Sequence, residues 1–222
     1  MVQLGSIRQR KRHGDALRAS SFLTQTFYRM YRRGRTMIPP EEIIAVLNRA
    51  GVRFVLMGTH GVGGWRSEPR ATEDVDVLVQ KRYHRKAVHA IQRAFPDLEM
   101  HDQQVVTRFV DPTTRMVAID LMKPYEPFYQ AVFTNSVPAG RTHRVPDLEM
   151  ALVSKFAAIM SPNRVRKKKL IDAGDFLDIV EQNQEIIDMV KVCRLAEKVY
   201  RGGGKGIVKF LEDLKEGRPL KF

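Results

Sequence analysis

The run Asp74-Val-Asp-Val-Leu-Val79 is apolar enough for the middle of a sheet, yet it carries two acids two residues apart. In a strand, residues i and i+2 point to the same face, so Asp74 and Asp76 project together into one small volume. Two unit charges about 4 Å apart repel by roughly 4 kcal/mol at a surface-like dielectric. A fold tolerates that when a cation sits between them, and hard carboxylate oxygens suit Mg²⁺. Taken alone, the pair is also compatible with an ordinary solvated strand end.

A third acid changes that balance. Asp120 lies in Val117-Ala-Ile-Asp-Leu-Met122, an apolar strand in which a carboxylate needs a reason. It forms a hairpin with Gln104–Val110 around Asp111-Pro-Thr-Thr114, whose residues suit a turn. If the hairpin pairs beside 74–79, three acids meet on adjacent strands, a set able to hold two Mg²⁺ ions for in-line displacement at phosphorus.

Upstream, Met57-Gly-Thr-His-Gly-Val-Gly-Gly64 is glycine-rich. It is not a dinucleotide fingerprint, because the third glycine would fall at Arg66. Gly202-Gly-Gly-Lys-Gly206 lacks the Ser/Thr of a P-loop. The first run by itself reads as a tight turn between a strand and a helix.

Periodicity supplies the frame. Pro39-Pro40 before Glu41-Glu42 starts a helix that Gly51 ends, and Arg53–Met57 is a short buried strand. Lys81–Phe95 is an amphipathic helix. After an irregular stretch holding Pro124, Pro127 and Pro138, helices are expected near 146–160, 164–182, 184–200 and 206–215. The fold class is therefore α+β (mixed α/β), a small sheet domain followed by a C-terminal helical bundle. The expected divisions are 1–36, a basic tail and candidate for disorder; 37–140, the sheet domain; and 141–222, the helical domain.

The formal net charge of +13 is concentrated in that tail. Residues 1–35 hold nine Arg/Lys against Asp15 alone, so +8 lies there and +5 in the other 187 residues. Such a balance favours polyanionic partners. The tail lacks the apolar segment of a secretory signal, although its Arg-rich, acid-poor composition is shared with organellar transit peptides. Met37 offers an alternative start, which would make 1–36 an extension. No apolar run reaches the roughly 18 residues of a membrane span. The single Cys193, on an apolar helical stripe, reads as core and suits a reducing, cytoplasmic setting.

Val55-Leu-Met-Gly-Thr59, Pro69-Arg-Ala-Thr-Glu-Asp-Val-Asp-Val-Leu-Val79 and the acidic strand Val117–Met122 together resemble the DNA polymerase beta-like nucleotidyltransferase superfamily. Val145–Lys155 and Asp172-Ala-Gly-Asp175 narrow the resemblance to its abortive-infection (AbiEii-type) branch, over roughly residues 41–182. The resemblance implies an NTP-using transferase with two Mg²⁺ ions on Asp74, Asp76 and Asp120. It also implies nucleotide contacts from Gly58, Thr59, Arg70, Thr72 and Lys155, and a second acidic pair, Asp172 and Asp175. Arg164 and Arg166 are further phosphate candidates.

The implied acceptor is a hydroxyl, foremost an RNA (tRNA) 3′ end, in a toxin with a cognate antitoxin. Alternatives are AMP transfer to protein and an inactive nucleotide- or RNA-binding member. Two features depart from the pattern: Thr59 replaces a usual Gly or Ser, and the interval 60–73 is long. His60 reads as a loop histidine and Trp65 as a packing residue.

Overall fold

The computed structural model describes residues 2–31 and 37–220, and the chain divides into two compact units. Residues 1–64 and 68–146 form the first, residues 65–67 and 147–222 the second. The α+β class is as expected. Among the described residues no helix is long and apolar enough to cross a membrane.

In the first unit a five-stranded sheet has the order β1 (Phe54–Leu56), β2 (Val75–Val79), β5 (Val117–Met122), β4 (Val106–Val110), β3 (Glu99–Asp102). β2 and β5 are parallel, and every other pairing is antiparallel. The β4–β5 turn is closed by Asp111, whose carboxylate accepts from the amides of Thr113 and Thr114 at 2.8 and 2.9 Å. Helices α2 (Pro40–Arg49) and α4 (His84–Ala94) supply apolar faces to the core. Ile43, Leu47, Leu56, Val77, Ile91, Phe109 and Leu121 are wholly or almost wholly buried there.

Several elements escaped the sequence reading. β3 is an edge strand with four exposed residues and so has no alternation to detect. The irregular proline-bearing stretch is in fact ordered: Pro127 opens α5 (Pro127–Thr134), where its missing N–H costs nothing. Pro138 lies in a hairpin of β6 (Ser136–Ala139) and β7 (His143–Pro146).

The basic tail is likewise not featureless. Val2–Tyr31 is helix α1, and Leu17 joins the core with Ile43 and Ile44. His13, Ser20, Ser21 and Thr24 are also buried, so its inner face is largely polar and gives no hydrophobic period to read. Met1 and residues 32–36 of the expected tail lie outside the described residues.

The second unit holds α6 (Leu148–Met160), α7 (Arg166–Asn183), α8 (Met189–Ala196) and α9 (Gly203–Lys215). Asp147 caps α6, accepting from the Met150 amide at 3.0 Å. Phe156, Phe176 and Phe210 cluster at its centre, with ring centroids 5.4 to 6.0 Å apart about Phe210. Cys193 is half-buried on α8.

Candidate active site

Parallel pairing places Asp76 directly beside Asp120, while Asp74 precedes β2 by one residue and shares the face of Asp76. Carboxylate oxygens from all three lie within 4.8 Å of one another, each residue half-buried. Thr72 Oγ1 donates to Asp74 Oδ1 at 2.9 Å. Arg108 Nε donates to Asp120 Oδ1 at 3.1 Å.

Arg108 is a residue the sequence reading missed. From Val110 opposite Val117, a regular hairpin would place Arg108 opposite Ile119. A bulge between Phe109 and Val110 shifts the register by one and brings Arg108 opposite Asp120.

Gly58 begins the short helix α3 (Gly58–Val62) with φ +58°. A Cβ there would lie 1.9 Å from Asp76 Oδ2. The glycine is thus required by the carboxylate above it as well as by its own backbone. Nearby glycines answer different neighbours: a Cβ on Gly61 would strike the Leu56 carbonyl at 2.3 Å, and one on Gly64 would meet His13 Nδ1 at 2.1 Å.

The other candidates fall as follows. Thr59 is buried within α3. Arg70 Nη1 donates to the Ala71 carbonyl at 3.1 Å, and the Arg70 carbonyl accepts from Ser20 Oγ at 2.6 Å. His60 is no solvated loop residue: it is buried in α3 with Nδ1 3.2 Å from Ser20 Oγ. Burial pushes its pKa down to about 4, with Asp74 pulling upward and Arg70 downward.

Lys155, Asp172 and Asp175 come together inside the helical unit. Lys155 Nζ donates to Asp172 Oδ1 at 3.0 Å and Asp175 Oδ2 at 2.6 Å, with all three residues at least 95% buried. Arg164 Nε meets the second oxygen of Asp172 at 2.5 Å, and Arg66 Nη1 lies 3.4 Å from Asp175 Oδ1. Arg66 also pairs with Asp178 at 3.0 Å. Three cations and three carboxylates close this network, which joins the expected second acidic pair and Arg164 to Lys155. Arg166 is exposed at the start of α7. Trp65 is buried, and its carbonyl accepts from Asn183 Nδ2 at 2.7 Å.

The donor set suits a hard divalent cation: oxygens alone, three carboxylates, and a floor left bare of side chain at Gly58. With Arg108 counted, the cluster carries a net charge of −2, which one divalent ion balances.

No family model and no curated protein matches this chain. Among solved structures, terminal uridylyl transferase 4 from Trypanosoma brucei with bound GTP is similar at 13% identity and a TM-score of 0.34, covering 92% of this chain and 74% of that one. The Vibrio cholerae DncV cyclic AMP-GMP synthase, in complex with a linear intermediate, is similar at 11% identity and a TM-score of 0.27, covering 96% and 83%. At that distance neither defines a function for this chain, and the functional reading rests on its own side chains.

Proposed function

We propose that this protein is a divalent-metal-dependent nucleotidyltransferase that moves a nucleoside monophosphate from an NTP to an acceptor hydroxyl. The observation that carries the reading is the convergence of Asp74, Asp76 and Asp120 over the side-chain-free floor of Gly58. In the reaction, the acceptor oxygen bonds to the α-phosphorus, the α–β phosphoanhydride bond breaks, and pyrophosphate leaves. Asp74, Asp76 and Asp120 would hold Mg²⁺, which when bound supplies Lewis-acid neutralisation of the phosphates and a more acidic acceptor hydroxyl.

The remaining work belongs to orientation. Thr72 fixes the rotamer of Asp74 through its hydroxyl, and Arg108 fixes that of Asp120 while offsetting one negative charge. Such preorganisation lowers the barrier without covalent participation by the protein. Gly58 and Thr59, at the start of α3, would take the nucleotide phosphates, together with Arg70. We assign Lys155, Asp172 and Asp175 to holding the helical unit together, because their charges already satisfy one another.

An RNA 3′ end is the acceptor class the charge supports best. Arg10, Lys11 and Arg12 are exposed on α1, as are Arg166, Lys167 and Lys168 on α7. A toxin held in check by an antitoxin is the setting implied by the AbiEii-type resemblance.

The test is incubation with each of four α-³²P-NTPs, Mg²⁺ and total cellular RNA, beside Asp76→Asn. Label entering RNA with the wild type alone is expected. Label on a protein band would favour AMP transfer to protein. No label from folded protein whose RNA binding resists EDTA would replace the enzyme with an inactive binder.

A further inference from the structure

We propose that Ser20 and Thr24 of α1 are positioning residues for the carboxylate cluster, acting on Asp74 through the segment Arg70–Thr72; the proposal rests on the metal-site reading above. Residues 70–73 have no regular structure, so their backbone polar groups lack ladder partners and must find others. Two find them on α1. Ser20 Oγ donates to the Arg70 carbonyl at 2.6 Å, and the Thr72 amide donates to Thr24 Oγ1 at 3.1 Å. Ser20 and Thr24 are one helical turn apart on the same face, which sets them at two successive grips on the segment.

The hold then passes to the acid. Thr72 is fixed at its amide by α1, and its hydroxyl donates to Asp74 Oδ1 at 2.9 Å. A second branch runs through His60. Because the Ser20 hydroxyl proton goes to Arg70, its oxygen accepts from His60, which places a proton on His60 Nδ1. Ser20 thus joins α1, α3 and the segment before the acids at one oxygen.

The composition of α1 fits this role. Serine and threonine are poor residues for a helix interior, because their hydroxyls compete for nearby backbone groups. Here Ser20, Ser21 and Thr24 are 94 to 99% buried, and each hydroxyl bonds outside its own helix, to the irregular segment 70–72 or to α2. Ser21 Oγ donates to Glu41 Oε2 of α2 at 3.0 Å. His13 lies against Gly64, and Ala16 faces Gly63. The helix is therefore seated on the glycine-rich turn and on the segment leading to Asp74, the two stretches that frame the cluster.

The experiment compares the full chain with Thr24→Val, Ser20→Ala, the conservative Thr24→Ser and Asp76→Asn. Mn²⁺ binding is followed by electron paramagnetic resonance, and amide exchange by mass spectrometry. Thr24→Val keeps shape but removes the acceptor, and it should weaken Mn²⁺ binding about three- to tenfold. Exchange should accelerate over residues 70–74 with the protection of β4 and β5 unchanged. Thr24→Ser should behave as wild type.

Unchanged Mn²⁺ affinity in Thr24→Val and Ser20→Ala, while Asp76→Asn abolishes binding, would overturn the positioning role alone. Faster exchange spread evenly over the whole sheet would also overturn it, leaving α1 as a general stabiliser. Wild-type protein that binds no Mn²⁺ would sink the metal-site reading, and this inference with it.

Discussion

Replacing Gly58 by alanine separates what the fold needs from what the carboxylate cluster needs. Two effects act at this position. The φ of +58° places an L-residue in the left-handed region, at about 1–2 kcal/mol. The new Cβ would also lie 1.9 Å from Asp76 Oδ2 and 2.8 Å from its Cγ. A carboxylate at the end of a short side chain can swing aside, so the clash is relieved by an off-rotamer Asp76 at about 1 kcal/mol. The expected loss is therefore about 2–3 kcal/mol in urea unfolding.

Gly140 provides the control for strain. Its φ is +63°, and a Cβ there meets nothing within 4 Å, so Gly140→Ala should lose only about 1–2 kcal/mol. Removing the obstacle is the second control. In an Asp76→Ala background Gly58→Ala should cost about 1 kcal/mol less than in the wild type, a coupling large enough to resolve. Mn²⁺ binding separates the two glycines further: Gly58→Ala should weaken it at least tenfold, and Gly140→Ala should leave it intact. Strict additivity of Gly58→Ala and Asp76→Ala, or normal Mn²⁺ binding by Gly58→Ala, would refute the view that the glycine exists to admit this carboxylate.

Two further outcomes follow from buried charge. Lys155→Met removes the one cation that Asp172 and Asp175 share, leaving each an arginine at the edge of the network, and should destabilise by about 3 kcal/mol in chemical denaturation. His13, His60 and His143 are each pushed down to about 4 by burial. Between pH 6.5 and 4 the unfolded chain binds more protons than the folded one, so unfolding free energy should fall as pH falls. The slope is at most about 1.4 kcal/mol per pH unit for each histidine; His60→Gln should flatten it in urea titrations run at several pH values.

The sheet half was legible where physics acts over two residues. Asp74 and Asp76 share a face whatever their surroundings, and Asp120 is conspicuous in an apolar strand. What the sequence could not reveal depended on distant partners. Arg108 is brought to Asp120 by a bulge, and counting from the turn points it to the wrong residue. α1 buries serine, threonine and histidine, so its inner face looks like a solvated one. The nucleotide contact expected of Lys155 came from the family resemblance alone, since nothing near it in the sequence names a partner. Its partners lie 17 and 20 residues away on α7, beyond any local spacing rule. Prolines at 127 and 138 suggested irregular chain, since one sequence cue serves both loops and helix starts.

The glycine-rich turn also bears on how this molecule opens. Gly58, Gly61, Gly63 and Gly64 occupy helical or 3-10 positions, each at roughly 0.5–1 kcal/mol of backbone entropy relative to alanine. The segment has almost no helical tendency of its own and is ordered by what presses on it: a carboxylate, a carbonyl and a histidine ring. Release of α1 would remove one of those pressures and free its hold on residues 70–72 together. Residues 58–64 and 70–74 should therefore open together as one small cooperative unit, melting below the free energy of the sheet that carries them.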